Sequence, residues 1–171
     1  MTMTVIQHQE LGSTQASITF SSIPQTFTDL YLVLSVRSDG NADIGIKFNN
    51  STSNFSNRYL FGNGSSASSG TVYGNYVGAA PQNTYTASTF GNFAVYIPNY
   101  TGSTAKTYSS DAVSENNATS AIQAITAGLW NVTDAITQID LYQLNGSNLV
   151  QYSSATLYGI KSGTDGIVTV S

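Results

Sequence analysis

Nine consecutive residues, Asp29–Arg37 (DLYLVLSVR), alternate without a break. Leu30, Leu32, Leu34 and Val36 fall on one side; Tyr31, Val33, Ser35 and Arg37 fall on the other. A period of two places successive side chains on opposite faces of an extended strand, so this stretch reads as a strand with one face in a core. Just upstream, Ser17–Phe20 sets Ile18 and Phe20 on one face. Between the two lies a polar connector, Ser21–Thr28, with Pro24, which has no amide to give to a ladder. The segment Ala16–Arg37 therefore reads as strand, turn, strand, and the rest of the chain as strands laid against its apolar wall.

The downstream sequence supports that frame. Ser38–Ala42 (SDGNA) is a turn of the Asp-Gly kind that joins antiparallel strands. Asp43–Asn49 resumes the alternation, with Ile44, Ile46 and Phe48 on one face, so Asp29–Asn49 is expected to form a hairpin. Residues 50–80 are rich in Ser, Asn and Gly, with Phe55, Tyr59, Phe61, Tyr73 and Tyr76 scattered among them. They read as a long excursion with short strands at Arg58–Phe61 and Thr71–Val77 and a loop at Gly62–Gly70. Long loops that carry aromatics are places for binding or assembly contacts; their rings also serve to close the end of a sandwich. Strand returns over Thr84–Tyr100, where Phe93, Val95 and Ile97 share a face before Pro98. Ala105–Glu115 reads as a polar strand near a sheet edge. Ala121–Val132 is rich in alanine, but its β-branched residues and the Gly128-Leu129-Trp130 step favour a strand with a tight spot. Thr137, Ile139 and Leu141 alternate within Ala135–Leu144, the turn NGSN follows, and Ser154–Lys161 is a further strand. A first strand at Thr4–Leu11 and a last at Ile167–Val170 complete the set. Short strands with turn signals between them and no convincing helix indicate an all-β, jelly-roll-like antiparallel β-sandwich, with residues 1–171 forming a single domain.

Charge narrows the function. Only 8% of the residues are charged, about a third of the share in an ordinary globular protein. Five Lys and Arg against nine Asp and Glu leave a net charge of −4. Nucleic-acid binding needs clustered cations, and docking on anionic membranes needs a basic surface, so neither is expected. There are no cysteines, which removes disulfides and thiolate metal sites. The N-terminal residues lack the basic start and apolar run of a signal peptide, and no apolar run is long enough to span a bilayer, so synthesis in a cytoplasm is expected.

Catalytic signals are weak. His8 is the single histidine, and no motif marks a serine as a nucleophile. Asp39, Asn41 and Asp43 have the D-x-N-x-D spacing of a calcium loop. The sixth and twelfth places of such a loop want Gly and Glu but hold Ile44 and Asn50, so the segment reads as a turn. No acidic pair has a local setting that marks it for glycoside hydrolysis. The glycine-rich FGNGSSASSG is followed by no Gly-Lys-Ser/Thr, so it is not a phosphate loop. The Asn-x-Ser/Thr triplets at Asn63 and Asn131 read as products of composition. Trp130, the one tryptophan, reads as core, with sugar stacking as the other role open to it; the eleven tyrosines suit either sugar stacking or a subunit interface. No enzyme activity, cofactor or metal is expected.

The run ASITFSSIPQTFTDLYLVLSVRSD, then IGIKFNN, RYLFGNGSS, GNFAVYIPNY and AKTYSS, and finally GLWNVTDAITQIDLYQLNGSNLVQYSSATLYGI occur in that order over about Val5–Ile160. This succession resembles a small β domain of tailed-bacteriophage virion proteins. The resemblance implies a jelly-roll-type sandwich found as a stand-alone virion protein or as the distal domain of tail or baseplate proteins, often trimeric and without a catalytic motif. Its matching positions here, Ile18, Phe20, Leu32, Trp130, Ile136 and Leu157, are apolar and read as core. The chain runs past Ile160, and that extension, residues 161–171, is expected to offer a clasp for a neighbouring subunit; no long N-terminal attachment region is expected.

These readings combine into an expectation. The chain is a structural virion protein, a homotrimeric capsid decoration or cement protein that contacts the major capsid protein and bridges capsid subunits on the head surface. The alternative is a tail-fibre or baseplate module that recognises a host surface glycan. The expected core comprises Ile18, Phe20, Leu30, Leu32, Leu34, Ile46, Phe93, Trp130, Ile139 and Leu157. Phe55, Tyr59, Tyr73 and Tyr76 are the candidates for assembly or glycan contacts.

Overall fold

The computed structural model describes residues 2–115 and 121–161. The described chain forms twelve strands and no helix: β1 (Thr2–Glu10), β2 (Ser17–Phe20), β3 (Asp29–Val36), β4 (Asp43–Phe48), β5 (Phe55–Gly62), β6 (Ala67–Gly70), β7 (Tyr76–Ala79), β8 (Gly91–Ile97), β9 (Lys106–Glu115), β10 (Ala121–Trp130), β11 (Ile139–Gln143) and β12 (Ser154–Lys161). They make two antiparallel sheets. The larger has the order β1-β12-β3-β8-β9-β10-β5-β6, and the smaller β2-β11-β4-β7.

That order defines the architecture. Setting aside the hairpins β5–β6 and β9–β10, the remaining eight strands alternate between the sheets along the chain except for β4 and β7, which are paired neighbours in the smaller sheet. They give β1-β12-β3-β8 facing β2-β11-β4-β7, the winding of a jelly roll. The β9–β10 hairpin docks beside β8 and the β5–β6 hairpin beside β10, which together double the width of the first sheet. The excursion over residues 50–80 is therefore largely sheet.

Alternation along the strands supplies the core. Leu30, Leu32, Leu34 and Val36 of β3 are buried and meet Ile18, Phe20, Ile44, Ile46, Phe48, Ile139 and Leu141 from the smaller sheet in one apolar cluster. Phe93 and Leu157 extend it along β8 and β12. An aromatic knot ties the inserted hairpins to this core. Phe48 on β4 packs with its ring centroid 5.5 Å from both Phe55 on β5 and Trp130 on β10, and 6.0 Å from Tyr108 on β9. Every residue of the expected core is buried, as is Ile136.

Four local expectations are corrected. Asp29–Asn49 is not a hairpin: β3 pairs with β12 and β8, whereas β4 pairs with β11 and β7, so residues 37–42 cross between sheets. The cause lies in the connector's partners. The Asp39 carboxylate accepts the Asn148 amide at 2.7 Å, its own amide donates to the Asn148 carbonyl at 3.0 Å, and the Ser38 amide donates to the Pro81 carbonyl. The turn is held by other loops and not by closing on itself. The pair β2 and β3 likewise falls in two sheets. β9 is not near an edge, since it pairs with both β8 and β10. Finally, the loop expected at Gly62–Gly70 contains β6, and the strand expected over Thr71–Val77 begins at Tyr76. The strand expected at Ile167–Val170 lies outside the described residues.

Candidate functional site

The four aromatic candidates of the 50–80 segment separate into two places. Phe55 belongs to the inner aromatic knot, stacked on Trp130 at 6.0 Å. Tyr59, Tyr73 and Tyr76 gather at the end of the smaller sheet. Tyr76 is buried and meets Tyr59 edge-on with ring centroids 6.0 Å apart. Tyr73 is 49% exposed, and its hydroxyl donates to Asn145 Oδ1 at 2.7 Å. Asn145 in turn donates to Asp43 Oδ2 at 3.4 Å. Burial pushes the Asp43 carboxyl above its ordinary value, and the Asn145 hydrogen bond partly opposes that. Burial, with Asp43 and Tyr59 nearby, likewise pushes the Tyr76 hydroxyl up.

Amide side chains hold this tyrosine end in place. Asn57 donates to the Val72 and Tyr73 carbonyls and accepts the Val72 amide. Asn75 donates to the Ile46 carbonyl and to the Tyr142 hydroxyl, each at 2.8 Å. The loop before β7 is thus fixed by buried amides, the kind of support that presents an exposed ring such as Tyr73 in one orientation.

The second feature is the outer face of the larger sheet. Cross-strand partners run from His8 on β1 through Val33, Ala94, Asp111 and Ile125 to Leu60 on β5. The neighbouring rung carries Tyr158, Tyr31, Tyr96, Ser109, Ala127 and Arg58. From β12 to β5 the charged side chains at outward positions are Asp29, Arg58, Asp111 and Glu115. Leu60 is 60% exposed and Ile125 48%, directly opposite each other. This is a broad surface of hydroxyls and scattered apolar groups, suited to contact with another macromolecule more than to enclosing a small one.

The remaining candidates have plain placements. His8 Nδ1 lies 2.8 Å from Thr156 Oγ1 on the exposed face. Asp39 and Asp43 are engaged by Asn148 and Asn145. Trp130 is 2% exposed, packed against Phe48 and Phe55. Among the described residues no three His, Cys, Asp or Glu side chains converge as a metal site would require, and no helix is long and apolar enough to cross a membrane.

Two buried cations escape a reading by pattern. Arg37 continues the outward parity of β3, yet its guanidinium donates to the carbonyls of Gln82, Tyr85, Thr86 and Thr89 at 2.7–3.2 Å. Glu115 fastens the same loop, accepting the Thr86 amide and hydroxyl. Lys106, in a strand that reads as polar and near a sheet edge, is buried. Its ammonium donates to the Gly102 and Thr104 carbonyls at 2.6 Å and to that of Thr133 at 3.4 Å. The signal was the residue type alone; the acceptors are backbone atoms, which a sequence does not single out.

Fold and surface together define a jelly-roll β-sandwich whose larger sheet is widened by two inserted hairpins. The chain matches no family model, and neither a curated protein nor a solved structure matches it.

Proposed function

We propose that this chain is a structural protein of a tailed-bacteriophage particle, a homotrimeric decoration or cement protein seated on the capsid surface. The observation that carries this reading is the outer face of the larger sheet over β12, β3 and β8, low in charge and studded with Tyr158, Tyr31, Val33 and Tyr96. The jelly-roll winding and the ordered sequence resemblance support it. The mechanism is mechanical. Each subunit covers a junction between capsid subunits through apolar and hydrogen-bonded contact, and contacts of this kind are little weakened by salt. Linking three subunits converts the second and third attachments into intramolecular events at high effective concentration.

The test is to add purified protein to particles that lack it and to measure heat and pressure resistance. Cement action raises both; saturated binding without any gain overturns it. Labelled antibody on particles locates the protein, and label confined to the tail overturns the head assignment.

A second reading, recognition of a host surface glycan, is favoured by the Tyr73–Asn145–Asp43 chain of hydrogen bonds at the tyrosine end. An exposed ring beside amide and carboxylate groups offers a sugar both a stacking face and hydrogen-bond partners. Tyr73→Ala then abolishes binding to host cells while leaving particle stability unchanged. Equal binding by the variant removes this reading.

A further inference from the structure

The outer face of β9, β10, β5 and β6 carries an exposed apolar centre. Leu60 and Ile125 sit side by side at its centre. Small residues beside them, Ala67, Ser69 and Gly70, leave a groove on each side, one of about 410 Å³ towards Gln123 and one of about 360 Å³ towards Arg58. Two unlike charges flank this centre. Arg58 lies two residues along β5 from Leu60, opposite Ala127; Asp111 lies one strand beyond Ile125, opposite it on β9. Both are exposed, and neither forms an ion pair among the described residues; Arg58 donates only to the Asn57 carbonyl and Asp111 accepts only from Gln123.

We propose that a second copy of this chain docks here, face to face, about a two-fold axis in the plane of the contact that passes between Leu60 and Ile125. The pattern is self-complementary under that operation. Strand spacing and rise place Arg58 and Asp111 roughly 12 Å apart across a diagonal of the sheet. An axis bisecting that diagonal brings Arg58 of each copy onto Asp111 of the other and sets each Leu60 beside the other copy's Ile125, next to a groove. An isologous contact requires this reciprocity, and a single sign of charge would forbid it. The four strands present roughly 600 Å² of face, near the ~800 Å² per partner of a stable interface. An apolar centre ringed by polar and charged residues matches the anatomy of such interfaces. The contact is additional to the threefold assembly proposed above; with its two-fold axis perpendicular to the threefold axis and crossing it, the two together close into a hexamer of paired trimers.

Sedimentation and mass measurement on the purified chain test this. The expected species are dimers, or hexamers where the trimer also forms, and they are distinguished from monomer and trimer by mass. Arg58→Asp and Asp111→Arg each weaken the pairing by about tenfold or more. The double exchange, Arg58→Asp with Asp111→Arg, restores it, which a merely misfolded variant does not do. Leu60→Glu abolishes it with an unchanged far-ultraviolet spectrum. Monomers or trimers alone at every concentration overturn the proposal. So does pairing that survives both single reversals, or single reversals that weaken it without rescue by the double exchange. Loss of the trimer with the pairing intact counts against the threefold assembly only.

Discussion

The Tyr108 ring fills the space where Gly128 would carry a side chain: an ideal Cβ on Gly128 would run into the ring carbons of Tyr108. The two residues are cross-strand partners on β9 and β10. Tyr108 cannot swing away freely, because its hydroxyl donates to the Tyr76 carbonyl at 3.2 Å and its ring edge meets Phe48. Gly128→Ala is therefore expected to destabilise the fold by about 1–3 kcal/mol, as overpacking does. In a Tyr108→Ala background the same change becomes nearly neutral. Denaturant titration of the four proteins gives the coupling; additive losses would mean that the ring is not the obstacle.

That contact also shows what the sequence carried. Gly128 ahead of Leu129 and Trp130 announced a tight spot in a strand, yet nothing local named Tyr108 as its neighbour. Alternation told inside from outside reliably: the apolar face of Asp29–Val36 is buried along its whole length. It did not say which sheet a strand joins. The Asp-Gly turn after β3 suits a hairpin, and partners far along the chain, Asn148 for Asp39 and Pro81 for Ser38, make it a crossing instead. The polar inward residues of β9 misled for a related reason. Ser110 donates to the Val77 carbonyl and Lys106 to three carbonyls, so a buried strand reads as an edge strand. Of the aromatic candidates, Tyr59, Tyr73 and Tyr76 do come together, while Leu60 and Ile125 drew no attention because single apolar residues in short strands are ordinary.

Arg37 makes a second prediction. Its planar guanidinium reaches four carbonyls of residues 82–89 at once, a geometry that a single ammonium does not reproduce. Both Arg37→Lys and Arg37→Met should loosen this loop, with the lysine variant rescuing little. A stability loss of at least about 2 kcal/mol is expected, given the strength of hydrogen bonds to charged groups. Hydrogen exchange should rise in residues 82–89 and stay unchanged in β11. Full protection of the loop in Arg37→Lys would show that one point charge suffices.

Asp43 supplies a pH signature. Burial raises its folded-state value above the ordinary 3.8. The folded protein thus binds the proton more tightly than the unfolded chain does. Its contribution to stability grows as pH falls through the raised value and is complete below the unfolded one. Asp43→Asn removes this term and keeps the shape, so the variant's stability should vary less with pH than the parent's in the window just above 3.8. The comparison is thermal melting of the two proteins at a series of pH values. Parallel curves would show that Asp43 titrates as it does in the unfolded chain.

Trp130 closes the argument about sugar stacking, because burial decides between its two roles. The indole packs against both Phe48 and Phe55 with 2% of its surface exposed, so it has no face to offer a ligand. Trp130→Ala should cost about 3–5 kcal/mol, the price of emptying a large aromatic site in a core. Being the single tryptophan, it also reports on its own surroundings. The native protein should emit at the blue end of the tryptophan range, resist quenching by acrylamide, and shift red only when β10 separates from β4. A native spectrum already red-shifted and readily quenched would place the ring at the surface and return it to the list of sugar platforms.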